Sequence, residues 1–410
     1  MKIEDEITEE NRDLVGFMGI DDEYLVLSPT FIQGGKVCRV DTIGFKAFAD
    51  CKGLKHLVLL DDFLTIQDEA FSGCSSLASV DLPDSVRVIF NEVFLNCHTL
   101  TSITLPRKAE FIGAGAFSGC SALTSVKLPW GGVECVGAQL FLGCGSLEGV
   151  DIPDTVESVG TQAFMCCCDL HAITLPPSLS RIGEQAFREA GLRSVQIPDS
   201  VTDIGTSAFA FCGFLQSISL PESVKEVGGQ TFYGCENLLS ASIPKSIGSV
   251  ADAMFTCCTK LSDVHIAEGI SAIGDGAFAD CTALKNISLP DSITEVGNRA
   301  FSGCESLEAI RLPGNLRSIG EDTFNGCEAL AEIAIPEGTA QIGRNAFSGC
   351  TSLRRVSLPQ SLEKIDTKPF EGCTRLQAIH YSGTRAQWRK LVGRRTMGVK
   401  VPVVCTDGTL

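Results

Sequence analysis

Nowhere does the chain hold the run of about 20 apolar residues that a membrane-spanning helix requires. Its start, Met1-Lys2-Ile3-Glu4-Asp5-Glu6, is acidic and leads into no apolar stretch of the kind found in signal peptides, so none is expected in the chain as it stands. Cations are short as well: 33 Lys and Arg face 50 Asp and Glu, for a formal net charge of −17. Nucleic-acid binding draws its affinity largely from cations that neutralise phosphates, and anionic membrane surfaces attract the same charges; the balance argues against both. Such acidity keeps an elongated chain soluble and monomeric. The adjacent cysteines Cys166-Cys167-Cys168 and Cys257-Cys258 lack C-x-x-C spacing and a second ligand pair, which excludes a zinc finger. Gly113-Ala114-Gly115 through Gly119 lacks G-x-G-x-x-G spacing and reads as an ordinary turn.

What the chain has instead is a period. Phenylalanines recur at Phe48, Phe71, Phe94, Phe117, Phe141, Phe164, Phe187, Phe209, Phe232, Phe255, Phe278, Phe301, Phe324, Phe347 and Phe370, with every step 23 residues except one of 24 and one of 22. A fixed period of this size marks stacked units that touch only their neighbours. Within a unit such as Leu77-x-x-Val80-x-Leu82-Pro83, apolar residues two apart predict a strand with one buried face. Proline ends that strand, Asp84-Ser85 supplies turn chemistry, and Val86 and Ile89 return to the core along a second, short extended segment. Glycine then turns the chain, and Ala-Phe inserts its ring beneath the next coil. One unit is too short to bury its own face, so stacking must stabilise it.

Fourteen of the 20 cysteines sit three residues after a repeat phenylalanine, and only Ala190 breaks the series. Cysteine is small and apolar enough to fill a tight buried turn, which predicts a column of reduced packing thiols. Cys38, Cys135, Cys166, Cys168, Cys257 and Cys405, outside that series, read as packing residues too. Reduced thiols without a leader place the protein in the cytoplasm; an upstream leader would place it at the cell surface or outside the cell.

The pattern resembles the BspA-like, treponemal-type leucine-rich repeats, whose consensus runs Leu-x-x-Ile-x-Leu-Pro-x-x-Leu-x-x-Ile-Gly-x-x-Ala-Phe-x-x-Cys. The resemblance covers about residues 38–381. It implies a curved solenoid with a parallel sheet on its concave side, and a role in adhesion or protein recognition, often at bacterial or protist surfaces. The expected fold is therefore an α/β-type repeat solenoid: a right-handed leucine-rich-repeat coil, mostly β and turns, of about fifteen 23-residue repeats.

The ends depart from the period. Residues 1–23 hold nine acids against Lys2 and Arg12 and read as a short capping helix or a frayed tail. Tyr24 to Ile32 reads as a first, atypical strand, which makes residues 1–37 an N-terminal segment and cap and residues 38–381 the solenoid. In residues 382–410, Arg385 to Leu391 predicts a short amphipathic helix and Val401 to Cys405 a final strand. Trp388 and Leu391 would cover the last coil, leaving Arg385, Arg389, Lys390, Arg394, Arg395 and Lys400 outside as part of a cap or as a basic partner patch. Trp130-Gly131-Gly132 carries the extra residue of the 24-residue step, and Arg188-Glu189-Ala190-Gly191 the loss in the 22-residue step. Both read as drift in turn length.

Residues on the outward face of the first strand of each unit are where recognition would occur. Most are small and neutral, with charge richer towards the C-terminal half. Asp263, His265, Asn286, Ser288, Arg311, Glu332 and Arg355 are the candidate partner-binding residues on the expected concave face. Paired catalytic groups need hydrogen-bond reach of one another, and His56, His98, His171, His265 and His380 fall in different repeats. Asp263 and His265 beside Asn286 and Ser288 are the nearest approach to a constellation and define a distant hydrolase alternative. Asn286-Ile287-Ser288 is a formal glycosylation sequon, not expected to be modified on a strand of a leaderless chain. The reading is of a non-catalytic scaffold for a protein or peptide partner, without cofactor, metal or membrane insertion, and monomeric.

Overall fold

The computed structural model describes residues 6–7, 23–33, 36–129 and 132–410. The chain forms two compact units, Met1–Val201 and Thr202–Leu410. In the first, the strands Tyr24–Leu27, His56–Leu59, Ser79–Asp81, Ser102–Thr104, Ser125–Lys127 and Gly149–Asp151 form one parallel ladder, each residue facing its counterpart one repeat on, as Ser79 faces Ser102. A second parallel ladder joins two-residue strands, among them Thr42–Ile43, Thr65–Ile66, Val88–Ile89 and Phe111–Ile112. The second unit follows a similar plan, with its long strands paired in three separate sets rather than one ladder. Its long strands include Ser217–Ser219, Ser240–Ile243, Asp263–Ile266, Asn286–Ser288, Ala309–Arg311, Glu332–Ala334, Arg355–Leu358 and Ala378–Tyr381. Its short strands run from Asp203–Ile204 and Glu226–Val227, which pair with each other, through Ser249–Val250 to Lys364–Ile365. Each unit is thus a parallel β-solenoid.

The period-two pattern sets the faces. In Asn286–Ser288, Ile287 is buried while its two neighbours face out. The proline turn closes locally, with the amide of Ile293 donating to the carbonyl of Pro290. The turn serine does not act within its own turn, as the sequence suggested. Ser292 Oγ donates to the carbonyl of Ile270 at 2.7 Å and accepts from the amide of Gly269 at 3.0 Å, both one coil back. Its hydroxyl therefore ties coils together.

The Ala-Phe segment forms a third set of inter-coil bonds that the sequence pattern did not reveal. The amides of Ala253, Phe255 and Cys257 donate to the carbonyls of Asp275, Ala277 and Ala279 in the next coil, each at 2.8 Å. The intervening amides of Met254, Thr256 and Cys258 close turns within their own coil. This alternation requires left-handed backbone two residues before and two after each phenylalanine, as at Ala253 (φ 52°) and Cys257 (φ 61°). Non-glycine residues pay roughly 1 kcal/mol or more for that conformation, which here lets the backbone groups of consecutive coils pair with one another.

The rings lie fully buried between these turns. In the second unit Phe209, Phe232, Phe255, Phe278, Phe301, Phe324, Phe347 and Phe370 form a stack with neighbouring centroids 5.3–5.6 Å apart. The glycine after the short strand is fixed by proximity. A Cβ on Gly297 would lie 2.5 Å from Asp275 Oδ1 and 2.7 Å from the Asp275 amide. That carboxylate accepts the Asn298 amide at 2.7 Å, while Asn298 Oδ1 accepts the Glu321 amide at 2.8 Å.

Cysteine does more than fill its slot. Cys258, Cys281, Cys304 and Cys327 each donate the thiol proton to the carbonyl of the phenylalanine one coil back, at 3.1–3.2 Å. Burial pushes the thiols of Cys97, Cys144, Cys235 and Cys327 up to about 12. These groups stay protonated, which makes them poor nucleophiles and poor ligands.

The N-terminal end differs from the expected single strand. Tyr24 to Ile32 is not one strand: Tyr24–Leu27 joins the parallel ladder, whereas Thr30–Gln33 turns away and pairs antiparallel with Lys36–Arg39. Ser28-Pro29 makes the break, since proline cannot donate to a ladder. The helix or tail expected before residue 23 lies outside the described residues, apart from Glu6–Ile7, which pairs with Thr42–Ile43. The side chain of Cys38 and the Trp130-Gly131 insertion also lie outside them.

At the shortened repeat, residues 172–175 and 194–197 follow the strand pattern without forming ladder bonds. Gly191 takes up the lost residue: a Cβ there would fall on the carbonyl oxygen of Cys168. At the C-terminus, Arg385–Val392 forms the expected helix with Trp388 and Leu391 buried. Thr384 and Gln387 cap it reciprocally, a capping box. Val403–Cys405 then pairs with Ile379 and His380, and an additional strand, Gly408–Thr409, folds back on it.

Candidate binding face

The outward rows of the long strands in the second unit carry every sequence-derived candidate. Asp263 and His265 flank Val264, with Ser240 and Ser242 opposite them on the neighbouring strand. Asn286 and Ser288 flank buried Ile287, and Ser288 faces Arg311. Glu332 faces Arg355, which in turn has Ala378 on its other side. Side chains opposite one another on adjacent strands stand about 5 Å apart at their bases, which makes neighbours of Ser288 and Arg311 and of Glu332 and Arg355, while Asp263 and His265 are next-but-one neighbours along a single strand, about 7 Å apart. All seven candidates are exposed.

His265 and Asp263 share one strand face, yet no hydrogen bond links their side chains, and none links His265 to Ser288. The array therefore lacks the base–nucleophile contact that hydrolysis of the usual kind requires.

Arg311 is held differently from the rest. One guanidinium nitrogen donates to both oxygens of Asp291, at 3.1 and 3.4 Å. The sequence pattern does not mark Asp291, which follows Pro290 in the turn position that Asp84 holds after Pro83. Its place just beyond the end of the Ser288 strand was the available signal, since a long arginine on the next strand reaches that turn. Arg355 and Glu332, although opposite in register, form no ion pair with each other or with other described residues.

The face is consequently a shallow strip in which small neutral residues, including Ser217, Ser219, Ser240, Ser242, Asn286, Ser288 and Ala309, are interrupted by charge. Burying such a strip needs little side-chain ordering, because its backbone is fixed by the ladders and most of its side chains are short. Among the described residues, no group of three His, Cys, Asp or Glu is arranged to hold a metal ion. No helix among them is long and apolar enough to cross a membrane.

The comparisons agree with this architecture. A family profile described as a BspA type leucine rich repeat region (6 copies) matches residues 41–171, 157–285 and 249–377. A crystal structure of a leucine-rich repeat protein from Bacteroides ovatus is 30% identical, with a TM-score of 0.66 over 84% of this chain and 89% of that one. A leucine rich cell surface protein from Faecalibacterium prausnitzii is 25% identical over 93% of this chain and 92% of its own, with a TM-score of 0.44. No curated protein gave a match. The profile spans most of the repeat array, and the chain belongs to the BspA-type leucine-rich repeat family.

Proposed function

We propose that the chain is a non-catalytic scaffold whose long-strand face, from Asp263 to Arg355, holds a protein or peptide partner. One observation carries the reading: a continuous exposed strip of small residues, punctuated by Asp263, His265, Arg311, Glu332 and Arg355, on a backbone bonded to its neighbours coil after coil. Shape tolerance comes from the serines and alanines, and charge placement supplies specificity and on-rate. A partner carboxylate at Arg311 competes with Asp291, whereas Arg355 is available without displacing another residue.

The test is affinity capture from native cells with wild-type bait and with an Arg311→Glu, Arg355→Glu double variant, followed by binding measurements on the recovered partner. The expected result is at least tenfold weaker binding by the double variant, at two exposed charge positions of modest individual strength. Unchanged affinity would remove this face from consideration. An activity screen with a His265→Ala control addresses the hydrolase alternative, and activity that depends on His265 would revive it.

We also infer that the protein works in a reducing compartment. The buried thiols of Cys258, Cys281 and Cys304 each donate to a carbonyl, which supports the reading. Titrating thiols in freshly purified protein checks it, and substantial disulfide content would overturn it.

A further inference from the structure

The C-terminal cap carries a charge distribution unlike the rest of the chain. Residues 385–400 contain Arg385, Arg389, Lys390, Arg394, Arg395 and Lys400 and no acid. Removing those six charges from the total of −17 leaves −23 on the remainder. Two of the six have tasks within the cap. Arg385 pairs with Asp407, and Arg395 donates to the carbonyl of Leu391 near the end of the helix. Arg389, Lys390, Arg394 and Lys400 are exposed and form no ion pair with any described residue. Arg389 and Lys390 also complement the helix dipole in its last turn, which accounts for two cations but not for the other two.

We propose that these four cations form a docking site for a short, strongly acidic polypeptide segment of a partner protein, distinct from the long-strand face. Arginine's planar fork suits bidentate capture of carboxylates. Two further observations choose this occupant over other polyanions. The helix's large apolar residues, Trp388 and Leu391, are buried in the cap and leave only Ala386 and half-buried Val392 outside, too little apolar surface to enter a bilayer. A nucleic-acid duplex or a membrane is also extended and would meet the repulsion of the −23 remainder. A short segment, by contrast, senses chiefly the charges within a screening length of about 8 Å.

The experiment uses the full chain and a fluorescent decaglutamate peptide, followed by anisotropy at low and physiological salt. Three proteins are compared: wild type, an Arg389→Gln, Lys390→Gln, Arg394→Gln variant, and a control with the same charge change at Lys108, Lys225 and Lys285. Circular dichroism melting establishes that each is folded. The expected result is salt-sensitive binding to wild type and control, and about tenfold weaker binding to the cap variant, as three exposed ion pairs of ordinary strength would give. Absence of binding to wild type at low salt would overturn the proposal, as would equal weakening in the control. So would binding of duplex DNA or of mixed phosphatidylserine–phosphatidylcholine vesicles as tight as that of the peptide.

Discussion

Raising the pH should unfold the Thr202–Leu410 unit abruptly, because its cysteine column is stable only as thiol. Burial raises the thiols of Cys235 and Cys327 to about 12 and pushes Cys258, Cys281 and Cys304 well up too. Cys350 is also raised, first by its contact with Cys373 and then by burial. An unfolded cysteine ionises near its ordinary value of 9.0, so these six sites cost nothing below that pH. Above it, the unfolded chain releases protons that the folded chain retains, and stability is lost as pH rises towards the folded values. Each site then contributes about 1.4 kcal/mol per pH unit, or about 8 kcal/mol per pH unit for six. Folded domains hold about 5–15 kcal/mol in total, so the transition should fall between about pH 9.5 and about pH 11.

The assay is urea unfolding followed by far-UV circular dichroism across that range, for wild type and for a Cys281→Ala, Cys304→Ala variant. Ala190 already occupies the equivalent slot once, so the variant should fold. Its pH slope should be shallower by about 3 kcal/mol per pH unit, the share of two sites. Identical slopes would refute the reasoning and assign alkaline loss to other groups.

Three further outcomes follow from the coil geometry. Gly297→Ala should destabilise by about 3 kcal/mol or more, since its Cβ meets the backbone of Gly274 and Asp275 as well as the Asp275 carboxylate; chemical denaturation measures this. Ala253→Gly should stabilise by up to about 1 kcal/mol despite losing a methyl group, because φ is 52° there; a rise in melting temperature checks it. Arg311→Ala should change the melting temperature little, since the exposed Asp291 pair is worth about 1 kcal/mol or less. A large loss of stability in that variant would make Arg311 a structural residue and weaken its assignment to partner binding.

The candidate face was legible because alternation along a strand is a one-dimensional property. Once Ile287 and Ile310 were placed inside, Asn286, Ser288 and Arg311 had to be outside, and the period aligned them across strands. The Arg311–Asp291 pair was not legible. It joins the end of one turn to a side chain on the following strand, and nothing in either residue's own repeat position marks the other as its partner. The lack of a hydrogen bond between His265 and Ser288 likewise depends on side-chain direction, which spacing does not specify.

By itself, the sequence determined the repeat, the family it resembles, the division into buried and exposed rows, and the thiol column's place in the core. All of these follow from periodicity and from the need of each unit to bury its apolar face on a neighbour. The tertiary structure alone decided how backbone polar groups are satisfied: the left-handed residues around each phenylalanine, the serine hydroxyls that reach back a coil, and the thiols bonded to phenylalanine carbonyls. These bonds join residues one repeat apart, and their directions exist only once the coils are stacked.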